Sequence, residues 1–598
     1  MTASFRTAVR FLLLLVPLLT CNILCAQGKV TQYTFVYKVY DYGDTSLRYV
    51  RMWTGSTVNE GTSLIWDEDR YVGKRMIPGY AQAKTYVDCG RDSVYYQLRF
   101  APGDLHYTHW SYCGSDAEWD TQKVDGTTTR FVTSINSNRM EVETTTKYDK
   151  ELQSSSVSPL VNYGRLPGVV SRFSRNGQVR MELARVEKEK VGARGVFPKQ
   201  IPSQMGVCHT SRELNNLQKE KQVVSTRIFD SVQIHWGENT DHVDARWRKP
   251  SSKATRDAFP YDTVVHFAGG TVVLKRVRLD SLPSHYQYFV ELHQQSNGDA
   301  YDRTGSIFVI PQGYGPRSFF EGMYQHPDSL PILTGRDGAR YQGVVATKDY
   351  APVVELVRFF TPFGVHHFNG RVQLDGLDWA DEAYYKQEVT ELAPLLRGDV
   401  WIGAFIGNYD GGGHRLTLDI KAYPGEEVWT DFKPRETIVP LVNTCNVLEM
   451  AGQNYGRIFG TDSLTAEFAV PEGEHAKVTL RYISTGHGGW GGGDEFNPKE
   501  NEIFIDGKKR FSHTPWRSDC GTYRELNPVS GNFWNGVSSS DYSRSGWCPG
   551  TATQPVYFDL TGMESGRHTI TVAIPQGKPE EGSFSAWNVS AVLIVEDK

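Results

Sequence analysis

Lys477-Val478-Thr479-Leu480-Arg481-Tyr482-Ile483 alternates polar and apolar side chains, and a glycine-dense loop follows, His487-Gly488-Gly489-Trp490-Gly491-Gly492-Gly493-Asp494-Glu495-Phe496. Beyond it come Ile503-Phe504-Ile505 and an Asp506-Gly507 turn. Alternation with a period of two sends successive side chains to opposite faces of a strand, and Asp-Gly between short apolar runs suits a hairpin. Similar runs recur at Tyr33–Val39, Thr129–Thr133, Thr271–Val277, Ile307–Ile310, Ala466–Val470 and Thr569–Ile574, separated by Gly, Asp, Asn and Pro. This spacing predicts antiparallel sandwiches rather than alternating strand and helix units. Only Ser211–Lys221 and Glu382–Leu396 read as amphipathic helices.

The chain has 598 residues, of which 39% are hydrophobic, so it is too long for one core and apolar enough to fold as three or four domains. Lys and Arg number 64 against 69 Asp and Glu, a net charge of -5 that gives no electrostatic reason for a nucleic acid or an anionic membrane as partner. Arg6 and Arg10, an apolar run Phe11–Leu19, a polar break and Ala26 have the layout of a secretory signal peptide cleaved after Ala26. That run falls short of the roughly 20 residues a membrane span needs, and no later segment comes closer. Residues 27–189 read as a first β-rich domain that ends on an Arg175-Asn176-Gly177 turn, and the charged stretch 190–228 reads as a linker. A second unit spans 229–423 and a third 424–598.

Outside the signal lie Cys89, Cys113, Cys208, Cys445, Cys520 and Cys548, with no pair at the two-residue spacing of a metal site. An even count in an exported chain reads as disulfides. Cys520 with Cys548, in one Gly-, Ser- and Trp-rich stretch, is the first expected pair and Cys89 with Cys113 the next; Cys208 and Cys445 can bridge or remain thiols.

Three stretches can carry chemistry. Asp299-Ala300-Tyr301-Asp302-Arg303 sits between two strand-like runs and sets two carboxylates beside an arginine, a setting that can tune a general acid or base; taken alone, the plainer reading is an acidic turn with an exposed ion pair. The loop 487–496 lets the backbone approach a ligand closely and places a Trp where a sugar ring can stack, but it lacks the Lys and Ser or Thr of a phosphate loop. A surface loop without function is its bland alternative. Cys520 to Cys548 contains Arg544-Ser545-Gly546-Trp547-Cys548-Pro549-Gly550 and reads as a stapled loop, with or without a ligand. His366-His367 projects to opposite faces of a strand, which argues against joint metal ligation.

Together these residues resemble the peptide:N-glycosidase F family of bacterial peptide-N4-(N-acetyl-β-glucosaminyl)asparagine amidases. The resemblance rests on Ile438-Val439-Pro440-Leu441, Tyr455-Gly456, Arg481-Tyr482-Ile483-Ser484 with His487, Asp494-Glu495 and the string 544–550. Earlier in the chain, Asp299–Arg303 matches an Asp-x-x-Asp-Arg loop and Phe359-Phe360-Thr361-Pro362-Phe363 a Phe-x-Thr-Pro strand exit. It implies an all-β fold of two side-by-side eight-stranded antiparallel jelly rolls, preceded here by an additional β-rich, bowl-like N-terminal domain. It further implies Asp302 and Glu495 as the catalytic carboxylates, Arg303 near the reacting sugar, Arg544 and Trp547 lining a chitobiose-binding wall, and His487 and Trp490 among the substrate-binding residues. The Cys520–Cys548 pair matches a family disulfide. Two departures stand out. The segment Trp401–Asp410 lacks a family Glu, leaving Asp410 or Asn408 in its place, and Asn497 stands where the family has a Cys.

The implied activity is hydrolysis of the glycosylated asparagine side-chain amide, which frees the intact N-glycan as a glycosylamine and leaves aspartate. The substrate is an N-glycoprotein or N-glycopeptide, no metal or organic cofactor is implied, and the protein is expected to act as a monomer that is secreted or periplasmic, or held at the cell surface. An endo-acting glycoside hydrolase using Asp302 and Glu495, and a glycan-binding lectin or adhesin without catalysis, are the alternatives.

Overall fold

The computed structural model describes strand segments within 29–192 and then 206–237, 259–282, 286–314, 318–324, 327–425, 436–445, 458–488, 493–577 and 585–597. The expected signal peptide, Cys89, Cys113, the tip of the Arg175-Asn176-Gly177 turn, Tyr455-Gly456 and Trp490 lie outside the described residues. Two compact units emerge: Met1–Val224 with Leu282–Tyr286 and Tyr423–Lys433, and Ser225–Ser281 with Gln287–Ala422 and Pro434–Lys598.

The first unit carries a 13-stranded sheet among its described residues. The strands Lys29–Asp41 and Gln178–Gly192 pair antiparallel, and Phe35, Val36 and Tyr37 are buried. The stretch 190–228, expected as a linker, contains ordered structure: Val207–His209 adds to the sheet, and Ser211–Gln222 is the anticipated helix. Thr210 starts that helix with a capping box, its hydroxyl accepting from the Glu213 amide while the Glu213 carboxylate accepts from the Thr210 amide, which satisfies two otherwise orphaned donors. Leu214 on the helix is buried with Leu98.

The second unit holds two β-sandwiches. In the first, a four-stranded sheet (Val224–Ile234, His414–Pro424, Tyr286–Ser296, Ala383–Glu388) accompanies a six-stranded one (Val264–Phe267, Val272–Leu279, Gly398–Ile406, Thr304–Ile310, Val354–Phe360, Ala552–Thr553). In the second, Glu436–Asn443, Ala586–Asp597, His475–His487 and Val556–Asp559 form one sheet, and Leu464–Val470, Gly566–Ala573, Asn501–Ile505 and Lys508–His513 the other. The second thus has the eight strands expected of it and the first has ten, counting the short Ala552–Thr553 that crosses over from the C-terminal half. Leu464–Val470 shows the alternation read from its sequence, with every second residue buried.

Glu382–Leu396 departs from the expected helix. Ala383–Glu388 is an edge strand with Ala383, Tyr385 and Gln387 buried and the residues between them exposed, and it pairs with Tyr286–Ser296. Thr390–Leu395 forms only a short 3-10 turn containing Pro394. A free hydrogen-bonding edge overrode the local helical pattern, because Tyr384 and Tyr385 pack as well in a strand.

The sandwiches are joined by a fully buried ionic cluster. Arg358 donates to both Glu355 carboxylate oxygens (3.1 and 2.7 Å) and across the junction to the Asn588 carbonyl (2.7 Å) and Thr485 Oγ1 (3.2 Å). Ser590 and Ser306 donate to the same carboxylate, and Arg481 donates to the carbonyls of Glu355 and Leu356. Burial by itself would raise Glu355, but Arg358 and the two hydroxyls hold it below the usual carboxylate range. Buried charges survive only when paired and hydrogen-bonded in this way, and the directional contacts fix one orientation of sandwich on sandwich. Cys445 remains a buried thiol beside this cluster, and burial pushes it up to about 12. No helix among the described residues is long and apolar enough to cross a membrane.

Candidate active site

Loops from both sandwiches converge on one arginine. Arg544 Nη2 donates to Asp302 Oδ2 at 3.1 Å and its Nε donates to Glu495 Oε1 at 2.8 Å. The remaining guanidinium donors go to the carbonyls of Ser539 (2.6 Å) and Tyr542 (3.4 Å) and to Ser539 Oγ (3.1 Å). The planar fork is therefore saturated and fixed, which a lysine could not reproduce. The Arg544 side chain is 0% exposed, whereas Asp302 and Glu495 are 16% and 18% exposed, so the carboxylates reach solvent and the arginine backs them.

Arg544 is held from above and below as well. Its guanidinium carbon lies 5.1 Å from the Phe496 ring and 4.7 Å from the Trp547 ring. Trp547 is itself buried, stacked on Phe360 at 4.1 Å and bonded through Nε1 to the Gly486 carbonyl. His487 packs against both rings. Trp547 was expected to line a sugar-binding wall; it forms instead the floor under Arg544, because its polar edge finds a backbone partner and its faces find aromatic neighbours. His487, expected to bind substrate, is a neutral packing residue here: burial, with Arg358 and Arg544 nearby, pushes it down to about 3. The Cys520–Cys548 disulfide closes the segment that carries Arg544 and Trp547. A two-way backbone pairing of Arg517 with Arg544 (2.8 and 2.9 Å) adds to it.

The loop bearing Asp302 is clamped at Thr361, the threonine of the strand exit after Val354–Phe360. Its Oγ1 accepts from the Arg303 amide (2.8 Å) and donates to the Tyr301 carbonyl (3.0 Å), while its own amide donates to the Arg303 carbonyl (2.9 Å). Asp302 sits between these anchors. Asp299, read from sequence as a turn carboxylate, is buried: Arg303 donates to it through Nε (2.7 Å) and Nη2 (3.2 Å), and His414 Nε2 lies 3.6 Å away. Burial would raise Asp299, but its contacts with His414 and the Arg303 guanidinium more than offset it and hold it at about 2. An acid and an arginine four apart, Asp299 and Arg303, were the available sequence signal. The Arg303 guanidinium also lies over the rings of Tyr301 and Tyr409, at 5.0 and 5.9 Å.

Asp302 has the opposite environment. Burial pushes it up to about 7, the Arg544 charge pulls against that, and Glu495 adds to it. A carboxyl that titrates near neutrality can give or take a proton under ordinary conditions.

Asp494 and Glu495 divide anchoring from exposure. Asp494 is fully buried and accepts from the Gly577 amide and from Trp587 Nε1 (2.8 Å). Ser545 ties the segment to Arg544's loop, donating to the Asp494 carbonyl (2.7 Å) through Oγ and to the Glu495 carbonyl (2.9 Å) through its amide. Asn497, at the departed cysteine position, donates to the Gly493 carbonyl (2.8 Å). Asp410 is occupied structurally: its Oδ1 accepts from the amides of Gly412 and Gly413, which shapes the loop that packs on Asn297–Asp299. Asn408 is buried and donates to the Ile406 carbonyl. Neither joins Asp302 and Glu495 on Arg544. Among the described residues no His, Cys, Asp and Glu cluster is arranged to hold a metal ion.

A double sandwich whose loops set two partly exposed carboxylates on one buried arginine defines a class of all-β jelly-roll protein with a shared cluster of two carboxylates and an arginine. The C-terminal domain model of peptide-N-glycosidase F matches residues 454–594 and the N-terminal one residues 225–422, and the chain belongs to that family. The structure is similar to those of PNGF-II in its C2 crystal form (36% identity over 96% of this chain and 99% of that one, TM-score 0.59) and in its P21 form (34% identity, 96% and 100%, TM-score 0.61). No curated protein sequence matches the chain.

Proposed function

We propose that this protein hydrolyses the side-chain amide between asparagine and an N-linked glycan, with Asp302 moving the proton. The observation that carries the reading is the pair Asp302 and Glu495 on the saturated Arg544 fork, within a family of peptide-N-glycosidases. Water adds to the side-chain carbonyl carbon as Asp302 takes its proton; the carbon–nitrogen bond then breaks and the proton passes to nitrogen. The products are aspartate in the peptide and the glycan as a glycosylamine. An acid near 7 suits both halves, since neither proton transfer is strongly uphill.

Arg303 stands beside the reacting centre. Its Nε and Nη2 are tied to Asp299, which aims Nη1 and leaves it available to the carbonyl oxygen as charge develops there. Glu495, which accepts from Arg544 Nε through Oε1, orients the innermost sugars or the attacking water with its other oxygen. No step needs a metal or an organic cofactor. The Cys520–Cys548 disulfide and an N-glycoprotein substrate fit an extracellular or periplasmic setting.

Digestion of a defined N-glycopeptide tests the reading. Mass spectrometry should find the site converted to aspartate and the free glycan with its chitobiose intact. One sugar left on asparagine would mean an endoglycosidase, and binding without release a lectin; either result overturns the amidase assignment.

A further inference from the structure

A cavity of about 510 Å³ opens in the second compact unit where the loop 513–523 meets the strand Ala383–Glu388 and the segment 550–556. Asp302, Arg303, Glu495 and Arg544 do not line it. Its size falls within the roughly 300–1,000 Å³ of small-ligand sites. Trp516, Tyr384 and Tyr523 give it flat aromatic walls, and Trp516 and Tyr384 remain partly exposed.

The charges around the cavity are already answered. Arg517 is held bidentately by Asp519 (2.9 and 2.6 Å), and Lys386 lies 3.0 Å from Glu291. Burial lowers His513, which favours its neutral ring. An anion would have to displace these carboxylates, and an apolar ligand would strand the polar groups. The His513 ring and the exposed Gln554 amide both border the cavity. Neutral donors and acceptors beside aromatic faces match the alternating hydroxyls and C–H faces of a sugar ring.

The geometry points to this cavity as a second, non-catalytic binding site for a neutral oligosaccharide, stacked on Trp516 and hydrogen-bonded by His513 and Gln554. It does not depend on the amidase reading. It would let the protein hold one part of a glycan-bearing surface while the catalytic loops work on another.

Isothermal titration of the full chain with α-mannotriose and, separately, cellotriose, neither of which carries the N-acetylglucosamine pair that the catalytic loops would take, tests it, with inorganic phosphate as the anionic probe. At least one saccharide should bind, and Trp516→Ala and Gln554→Ala should each weaken that binding about tenfold or more. Turnover of a small glycopeptide should be unchanged in both variants, since neither residue touches the Asp302 loop. Saccharide binding unaffected by both substitutions, no saccharide binding, or binding of phosphate in preference to both sugars would overturn the proposal. Loss of the amidase reading with retained, Trp516-dependent binding would leave it standing.

Discussion

Asp302→Asn is the most informative perturbation, because the structure gives it two separate signatures. The substitution keeps the shape of the side chain and a hydrogen-bond acceptor for Arg544 Nη2, but removes the group that titrates. General acid or base catalysis contributes about 10² to 10⁴ in rate, so kcat should fall by at least that much while binding of the glycopeptide stays within a few-fold. In the unaltered protein, kcat/KM should drop as pH falls through about 7, where burial has moved this carboxyl. The second signature is stability. Between about pH 4 and 7 the folded protein holds a proton on Asp302 that the unfolded chain has lost, so stability declines as pH rises across that window. At about 1.4 kcal/mol per pKa unit, the shift from 3.8 to about 7 is worth on the order of 4 kcal/mol. Asn carries no such penalty, so the melting temperature of the variant relative to the parent should rise from pH 5 to pH 8. Turnover measured by mass spectrometry and melting by calorimetry across this range provide both readouts. Near-normal kcat, or a rate limb near pH 4 with no pH-dependent gain in relative stability, would refute the assignment of a proton-carrying Asp302.

Asp299→Asn should not behave as a silent turn substitution: it frees Arg303 and removes a stabilisation on the order of 2 kcal/mol that is present above about pH 4 and lost as pH falls toward 2, so denaturant unfolding at pH 7 should show the deficit and kcat/KM should fall. Thr361→Val should lower kcat by about tenfold or more with little change in melting temperature, whereas Thr361→Ser, which retains the bonds to Tyr301 and Arg303, should recover most of it; equal activity in the two variants would remove Thr361 from the positioning of Asp302. Replacing Cys520 and Cys548 by Ala opens a loop with a sequence separation of 28 and should cost about 3 to 4 kcal/mol in urea unfolding, with activity lost before the sandwiches melt. Deletion of residues 27–224 should leave a folded protein that turns over small glycopeptides, because the Asp302, Glu495 and Arg544 loops all belong to the second compact unit; a folded but inactive truncation would show that the first unit completes the site.

Period-two alternation, as in Leu464–Val470, and glycine-rich turns were enough to read the fold class, since a strand with one buried face writes its period directly into the chain. The short motifs Asp299–Arg303, Asp494-Glu495 and Arg544–Gly550 lie in the segments whose carboxylates meet Arg544 in the structure. Residue type and spacing alone left open which member of each acidic pair is exposed; the resemblance named Asp302 and Glu495, and the structure leaves these two partly exposed while Asp299 and Asp494 are buried. Asp299 and Asp302 are chemically alike and three residues apart, yet one is paired with Arg303 and held at about 2 while the other is lifted to about 7. Trp547 looked like a sugar-stacking surface until Phe360 and His487 were found covering its faces, and Ala383–Glu388 looked helical until the free edge of Tyr286–Ser296 was available to it. Burial, charge pairing and edge pairing depend on residues hundreds of positions away, such as Asp302 and Arg544 at a separation of 242. Local sequence records which faces of an element are apolar; only the packed structure sets the distances that decide a proton's place.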